Sequence, residues 1–323
     1  MAETLAQQIG LNPVGSDEYV STAVPARMGN RAPIAYGGVT MGVAVHAACL
    51  TVSSTHHLYS VVGHYLGPAS LTSNLTCKVE RTRDTRTFAT RRVQVLQEQP
   101  DGKTRVCMDL LADFQVKEPS FMVYSAPSTR PYPAAEDCPS TAEHKEALLS
   151  SGKSNAKHAE IYETAFRLME SYFEIRRCVD GIASQNWNGI AKHTVTTQDH
   201  LPITSKTTAE WYRLRQNPGT EPQQMAALAF IMDAALSFIP LTHDHKFLDD
   251  VGACSSLDFA LRVFVNADEV DLQNWALIER QTSVANAGRT YSENRCWDAD
   301  GRMIASMTQQ SIMRVKPGSR ASL

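Results

Sequence analysis

Apolar and polar positions along the 323-residue chain run through the same order twice. Residues 35–50 mix apolar and small side chains with no polar stripe, the pattern of a helix buried on most sides. Strand-like runs follow at 59–65, 73–81, 86–97 and 103–115, the last two separated by the turn signal Gln99-Pro100-Asp101-Gly102. The second half predicts a helix over 225–239 that stops at Pro240, then strands at 253–265, 275–283, 289–298 and 303–315. Asp298-Ala299-Asp300-Gly301 marks the hairpin between the last two. A leading strand is expected ahead of each helix, as at 174–179 and 209–215 in the second half.

A long apolar helix followed by an antiparallel meander, twice, gives an α+β class and a duplication. A sheet wrapped around such a helix covers it nearly all round. Two units in tandem could join edge strands into one continuous sheet and so remove exposed edges. The units run over 1–116 and 173–323 and are joined by 117–172. Within the join, 117–154 is rich in Pro, Ser and charge and reads as a linker or surface excursion, while 158–172 has the spacing of a connecting helix.

An apolar fraction of 43%, a charged fraction of 20% and a formal charge of −3 describe an ordinary globular chain. They argue against a surface built for nucleic acid or anionic membrane, and leave room for a local basic pocket. The chain opens without a basic segment followed by an apolar run and holds no stretch of about 20 apolar residues, so neither a secretory signal nor a membrane span is expected. Seven scattered cysteines without a C-x-x-C pair read as free thiols of a reducing compartment. Asn74-Leu75-Thr76 fits a glycosylation sequon that matters only on secretion. The expected location is cytoplasmic; Ala321-Ser322-Leu323 shares two features of a peroxisomal ending and keeps that alternative open.

Six segments, in order, resemble motifs of the acyl-CoA thioesterase II family. They are Tyr36-Gly37-Gly38 at the start of the first helix, His64-Tyr65-Leu66-Gly67-Pro68, the strand RDTRTFATRRV at 83–93, Asp233 to Pro240 at the end of the second helix, Ser256-Leu257-Asp258, and QQSIMR at 309–314. The resemblance spans about residues 30–317. It implies a double hotdog and an Asp, a Ser and a Gln that hold a nucleophilic water, which here are Asp233, Ser256 and Gln309. It further implies an acyl-CoA or related acyl thioester as substrate, no cofactor and no metal, and a homo-oligomer.

Thioester hydrolysis needs a base for the water and a donor for the oxyanion. A carboxylate late in a buried helix can be that base if burial raises its pKa, and Ser256 and Gln309 can hold the water. Taken singly, each has a plainer reading: a helix-end acid, a strand hydroxyl and a surface glutamine. Asp258, two residues from Ser256 and expected on the same strand face, and His64 are possible supporting groups. No acidic residue lies between Ile34 and Val61, so one site per chain is expected, in the second half. Where the family has His-Ser-Met-Trp, this chain has Phe259-Ala260-Leu261-Arg262, which suggests an altered acyl pocket. That departure keeps open a hotdog dehydratase, isomerase or product-releasing hydrolase of a polyketide or other specialised pathway, and a non-catalytic acyl-thioester binder. Arg91, Arg92, Arg314 and Lys316 are candidates for CoA phosphates or plain strand-end charges.

Other chemistries find little support. There is no G-x-S-x-G elbow. Gly152-Lys153-Ser154 ends like a P-loop but lacks the earlier glycine, and Gly37-Gly38 with Gly42 is not dinucleotide spacing. His56-His57 and His243-Asp244-His245 lack a third spaced metal ligand.

Overall fold

The computed structural model describes residues 2–29, 32–99 and 101–318; the 321–323 ending lies outside them. In the first half a short helix α1 (Leu5–Gln8) precedes a hairpin β1 (Leu11–Gly15) and β2 (Glu18–Ser21). Helix α2 (Gly37–Cys49) and strands β3 (His56–Tyr65), β4 (Thr76–Asp84), β5 (Phe88–Glu98) and β6 (Thr104–Val116) complete it. Two helices follow, α3 (Thr141–Ser150) and α4 (Ala156–Tyr172). The second half holds β7 (Phe173–Arg177), α5 (Ile182–Gln185), β8 (Thr208–Leu214), α6 (Glu221–Met232) and α7 (Ile239–His243). It ends in β9 (Ala253–Val263), β10 (Ala276–Asn286), β11 (Arg289–Asp298) and β12 (Met303–Arg314).

The twelve strands of the described residues form one antiparallel sheet in the order β1-β2-β4-β5-β6-β3-β9-β12-β11-β10-β8-β7. The order reads the same from either end once each strand is matched to its counterpart, so the two halves meet at β3 and β9 around a pseudo-twofold. Val62 pairs with Ala260 at that seam. The sheet wraps α2 and α6, which lie against each other. Residues 38–49 of α2 and 225–232 of α6 are buried throughout, which is why neither carries a polar stripe. Their close contact needs glycine. A side chain on Gly38 would come within 2.5 Å of the Phe230 carbonyl oxygen, and one on Gly42 within 3.2 Å of that of Ala226. Tyr36 closes the contact, its Oη donating to the Phe230 carbonyl at 2.8 Å.

Two expectations change. The stretch 117–154 is not all surface: it contains α3, opened by a capping box between Ser140 and Glu143, and a small second core. Ala135 and Cys138 pack with Cys178, Ala209, Trp211, Leu277 and Trp297 on the sheet face opposite the helices. Trp211 and Trp297 donate to the carbonyls of Pro133 (2.9 Å) and Ala126 (2.8 Å), pinning the crossing there. Second, the helix expected to reach Pro240 stops at Asp233. Ala235 adopts φ +68°, and Pro240 sits in the first turn of α7, where a missing N–H costs nothing. The seven cysteines are free, and among the described residues no helix is long and apolar enough to cross a membrane.

Inside the second half, Glu210 is buried between Arg177 and Arg280, the latter at 2.8 Å, and bonds Tyr212. Removing one member of such a set strands the others. Glu210→Ala is therefore expected to cost about 3–5 kcal/mol in urea unfolding, and a change under 1 kcal/mol would show the guanidiniums find other partners.

Candidate active site

The end of α6 is fixed from outside. Asn294 Nδ2 donates to the carbonyls of Met232 (2.6 Å) and Ala234 (3.4 Å), and Arg280 Nε to Ala234 (3.0 Å). These bonds take up the last carbonyl of the helix and the one just past its cap. The Asp233 side chain is thereby aimed at the first turn of α2. Its Oδ1 accepts from Gln309 Nε2 at 2.7 Å and from Tyr65 Oη at 3.2 Å, and the carboxylate also takes the Gly38 N–H. A side chain on Gly37 would lie 2.9 Å from both Asp233 Oδ2 and Tyr65 Oη, so the first glycine of the pair keeps this approach open.

Gln309 is buried, not a surface glutamine. Ser311 Oγ donates to its Oε1 at 3.2 Å, which leaves Nε2 directed at Asp233. Ser311 pairs across the sheet with Ser256. Asp233 and Ser256 line one cavity of about 400 Å³, together with Tyr36, Gly37 and Tyr65 of the first half and the apolar Met28, Phe238, Leu248 and Leu257. The cavity is thus built from both halves, and confining it to the second was incomplete.

Burial drives the Asp233 pKa up, and the bonds from Gln309, Tyr65 and Gly38 pull it back, leaving it raised to about 7. The carboxyl group can therefore exchange a proton near neutrality.

The two supporting candidates lie elsewhere. A bulge at Leu257 moves the register of β9 on β12, so that Ser256 opposes Ser311 while Asp258 opposes Gln310. Ser256 and Asp258 accordingly face opposite sides, contrary to simple alternation. Asp258 instead opposes the exposed His64 on the outer face, away from the cavity. The residue that reaches the carboxylate from the His64 segment is Tyr65, whose signal was its place in the same motif. The altered segment 259–262 does not line the cavity either; Phe259 packs behind Tyr65, ring centroids 5.5 Å apart. Arg91 is buried on Thr51 and Asp84, and Arg92 is held by Asp109, so neither is a free strand-end charge.

The first half has the counterpart cavity, of about 380 Å³. β3 carries the same bulge against β6, with Leu58 opposite Phe114 and Val61 opposite Ala112. Matched through the bulges and the helix C-caps, Leu50, Leu58, Ala112 and Phe114 stand where the second half has Asp233, Ser256, Gln309 and Ser311. The hollow persists without these polar groups, which accounts for a single candidate site per chain.

Residues 24–115 match the family model of the acyl-CoA thioesterase N-terminal domain, and residues 174–313 that of the C-terminal domain. Acyl-coenzyme A thioesterase 8 of Homo sapiens is 25% identical over 292 residues, covering 87% of this chain and 81% of the relative. The Mus musculus protein of the same name is 25% identical over 291 residues, with the same coverage. Two solved structures share the fold. The acyl-CoA thioesterase II TesB2 from Mycobacterium marinum superposes with a TM-score of 0.68 at 18% identity, over 98% of this chain and 100% of that one. The tesB protein of Mycobacterium avium subs paratuberculosis does so with a TM-score of 0.67 at 17% identity, over 96% and 97%.

A folded pKa of about 7 lies above the ordinary aspartate value of 3.8, so Asp233 favours the folded state at low pH, and that contribution is lost as pH rises from about 4 through 7. Asp233→Asn, neutral throughout, should match the wild type in stability near pH 4 and exceed it at pH 8 by up to about 4 kcal/mol. Denaturant unfolding at the two pH values measures this; an equal difference at both would place the ionisation elsewhere.

Proposed function

This chain belongs to the acyl-CoA thioesterase family and hydrolyses acyl-CoA thioesters, and we propose that it does so by direct attack of a water activated at Asp233. The observation that carries the mechanism is a buried carboxylate poised near pH 7, bonded by Gln309 and Tyr65 and open to a cavity that Ser256 also lines.

In this reading the carboxylate accepts a proton from the water as its oxygen attacks the thioester carbonyl carbon. Ser256 holds that water from the cavity wall, and Gln309 holds the carboxylate that deprotonates it. The tetrahedral oxyanion lies at the first turn of α2, where backbone N–H groups and the positive helix end favour negative charge. Collapse breaks the C–S bond, Asp233 returns its proton to the departing thiolate, and free acid and CoA leave. No acyl-enzyme forms. Tyr65 orients the carboxylate and keeps part of its charge stabilised. The free cysteines support a cytoplasmic location, and we retain a homo-oligomer as the working state.

Asp233→Asn should lower kcat by about 100- to 10,000-fold, followed by free-thiol release, without loss of melting temperature. Retained turnover would remove Asp233 from the mechanism. Tyr65→Phe deletes a bond to the charged form, so the Asp233 pKa should rise and the ascending limb of kcat/KM against pH should move to higher pH. An unmoved limb would mean that Tyr65 does not act through this carboxylate.

A further inference from the structure

We propose that the nucleotide end of CoA, its 3′-phosphate and diphosphate, binds in a large groove beside the catalytic cavity, on Arg27, Lys153 and Lys157. The proposal rests on the acyl-CoA reading above and adds the place where the substrate's charge is held.

The groove has a volume of about 1210 Å³, three times that of the catalytic cavity at about 400 Å³. The two share Gly29, whose φ of +71° and absent side chain keep clear the space beside Phe238, 3.6 Å from where a Cβ would stand. The pantetheine arm of a thioester seated at Asp233 would have to pass Met28 and Gly29 to reach this groove. The groove is also the place where charge favours an anion. The chain as a whole is acidic, at −3, so a polyanionic substrate needs a local basic surface.

Among the described residues, four cationic side chains line the groove against two carboxylates, Glu160 and Asp249. Lys192 is taken by Asp249 (2.8 Å) and Asp250 (2.6 Å). Arg27, Lys153 and Lys157 make no ion pair among the described residues. Lys153 belongs to the Gly152-Lys153-Ser154 sequence that ends like a P-loop. Here a helix, α3, precedes it in place of a strand, and the lysine serves the groove without that motif's geometry. Ile161 and the exposed Val195 give the same groove apolar surface for an adenine. Free cations, apolar surface and a position adjoining the reacting centre fit a phosphorylated nucleoside joined to an acyl thioester.

The test is the double variant Lys153→Gln/Lys157→Gln, with both changes at exposed positions, assayed on one acyl chain carried by CoA and by pantetheine. For acyl-CoA, KM should rise about tenfold with kcat within about twofold, and KM for acyl-pantetheine should not move. A shift common to both thioesters, or none in either, overturns the proposal. Calorimetric titration with adenosine 3′,5′-bisphosphate reads the groove without turnover: the wild type should bind it at low salt and the variant more weakly. No binding by the wild type, or equal binding by both, overturns the groove. Wild type that cleaves neither thioester would overturn the hydrolytic reading instead, and the titration would still decide the groove.

Discussion

Two buried helices lie antiparallel and side by side with almost nothing between them, and the rest of the architecture follows from that contact. Glycine at 38 and 42 lets the backbone of α2 approach the carbonyls of Phe230 and Ala226. The approach brings the C-terminus of α6, with its open carbonyls and Asp233, against the N-terminus of α2, with its open N–H groups. Opposite ends of two helix dipoles face each other there, and the carboxylate sits where an anion is favoured. Because the sheet encloses both helices, that favour is offset by lost hydration. The balance leaves Asp233 near the neutral range instead of fully ionised.

The two halves share a frame but not its chemistry. Each has the same bulge in the strand at the seam, and each has a hollow at the end of its partner's helix. The difference lies in four positions, apolar in one half and polar in the other, and in the connection after the helix. Six residues link α2 to β3. In the second half, α7 and its flanking turns fill a longer link and supply Ser237, Phe238 and Leu248 to the cavity wall.

The duplication was legible because period-two alternation and apolar helices survive in both halves, and strand ends agree within a few residues. What was not legible has local causes. A left-handed alanine at 235 ends α6 where no glycine or proline signals it, so the helix was read through to Pro240. The bulge at Leu257 leaves no mark in the pattern, so Asp258 was assigned the wrong face. His64 drew notice as a titratable residue, whereas the neighbouring Tyr65, a phenol of a type that does not titrate near neutrality, makes the bond to the carboxylate. The second core was hidden because proline-rich stretches that cover a sheet resemble those that cross solvent.

The seam between β3 and β9 also bears on how the chain is made. Val62, in an early strand, pairs with Ala260, in a late one, and both lie at the centre of the sheet. During synthesis the first half emerges long before its neighbour, with β3 as an unpaired edge and the apolar side of α2 that α6 will cover still bare. Closure of so long a loop is slow, and an open edge beside apolar surface is a template for pairing with other chains. Assembly of this protein is therefore most exposed to error between the emergence of β6 and that of β9, an interval in which chaperone binding would matter most.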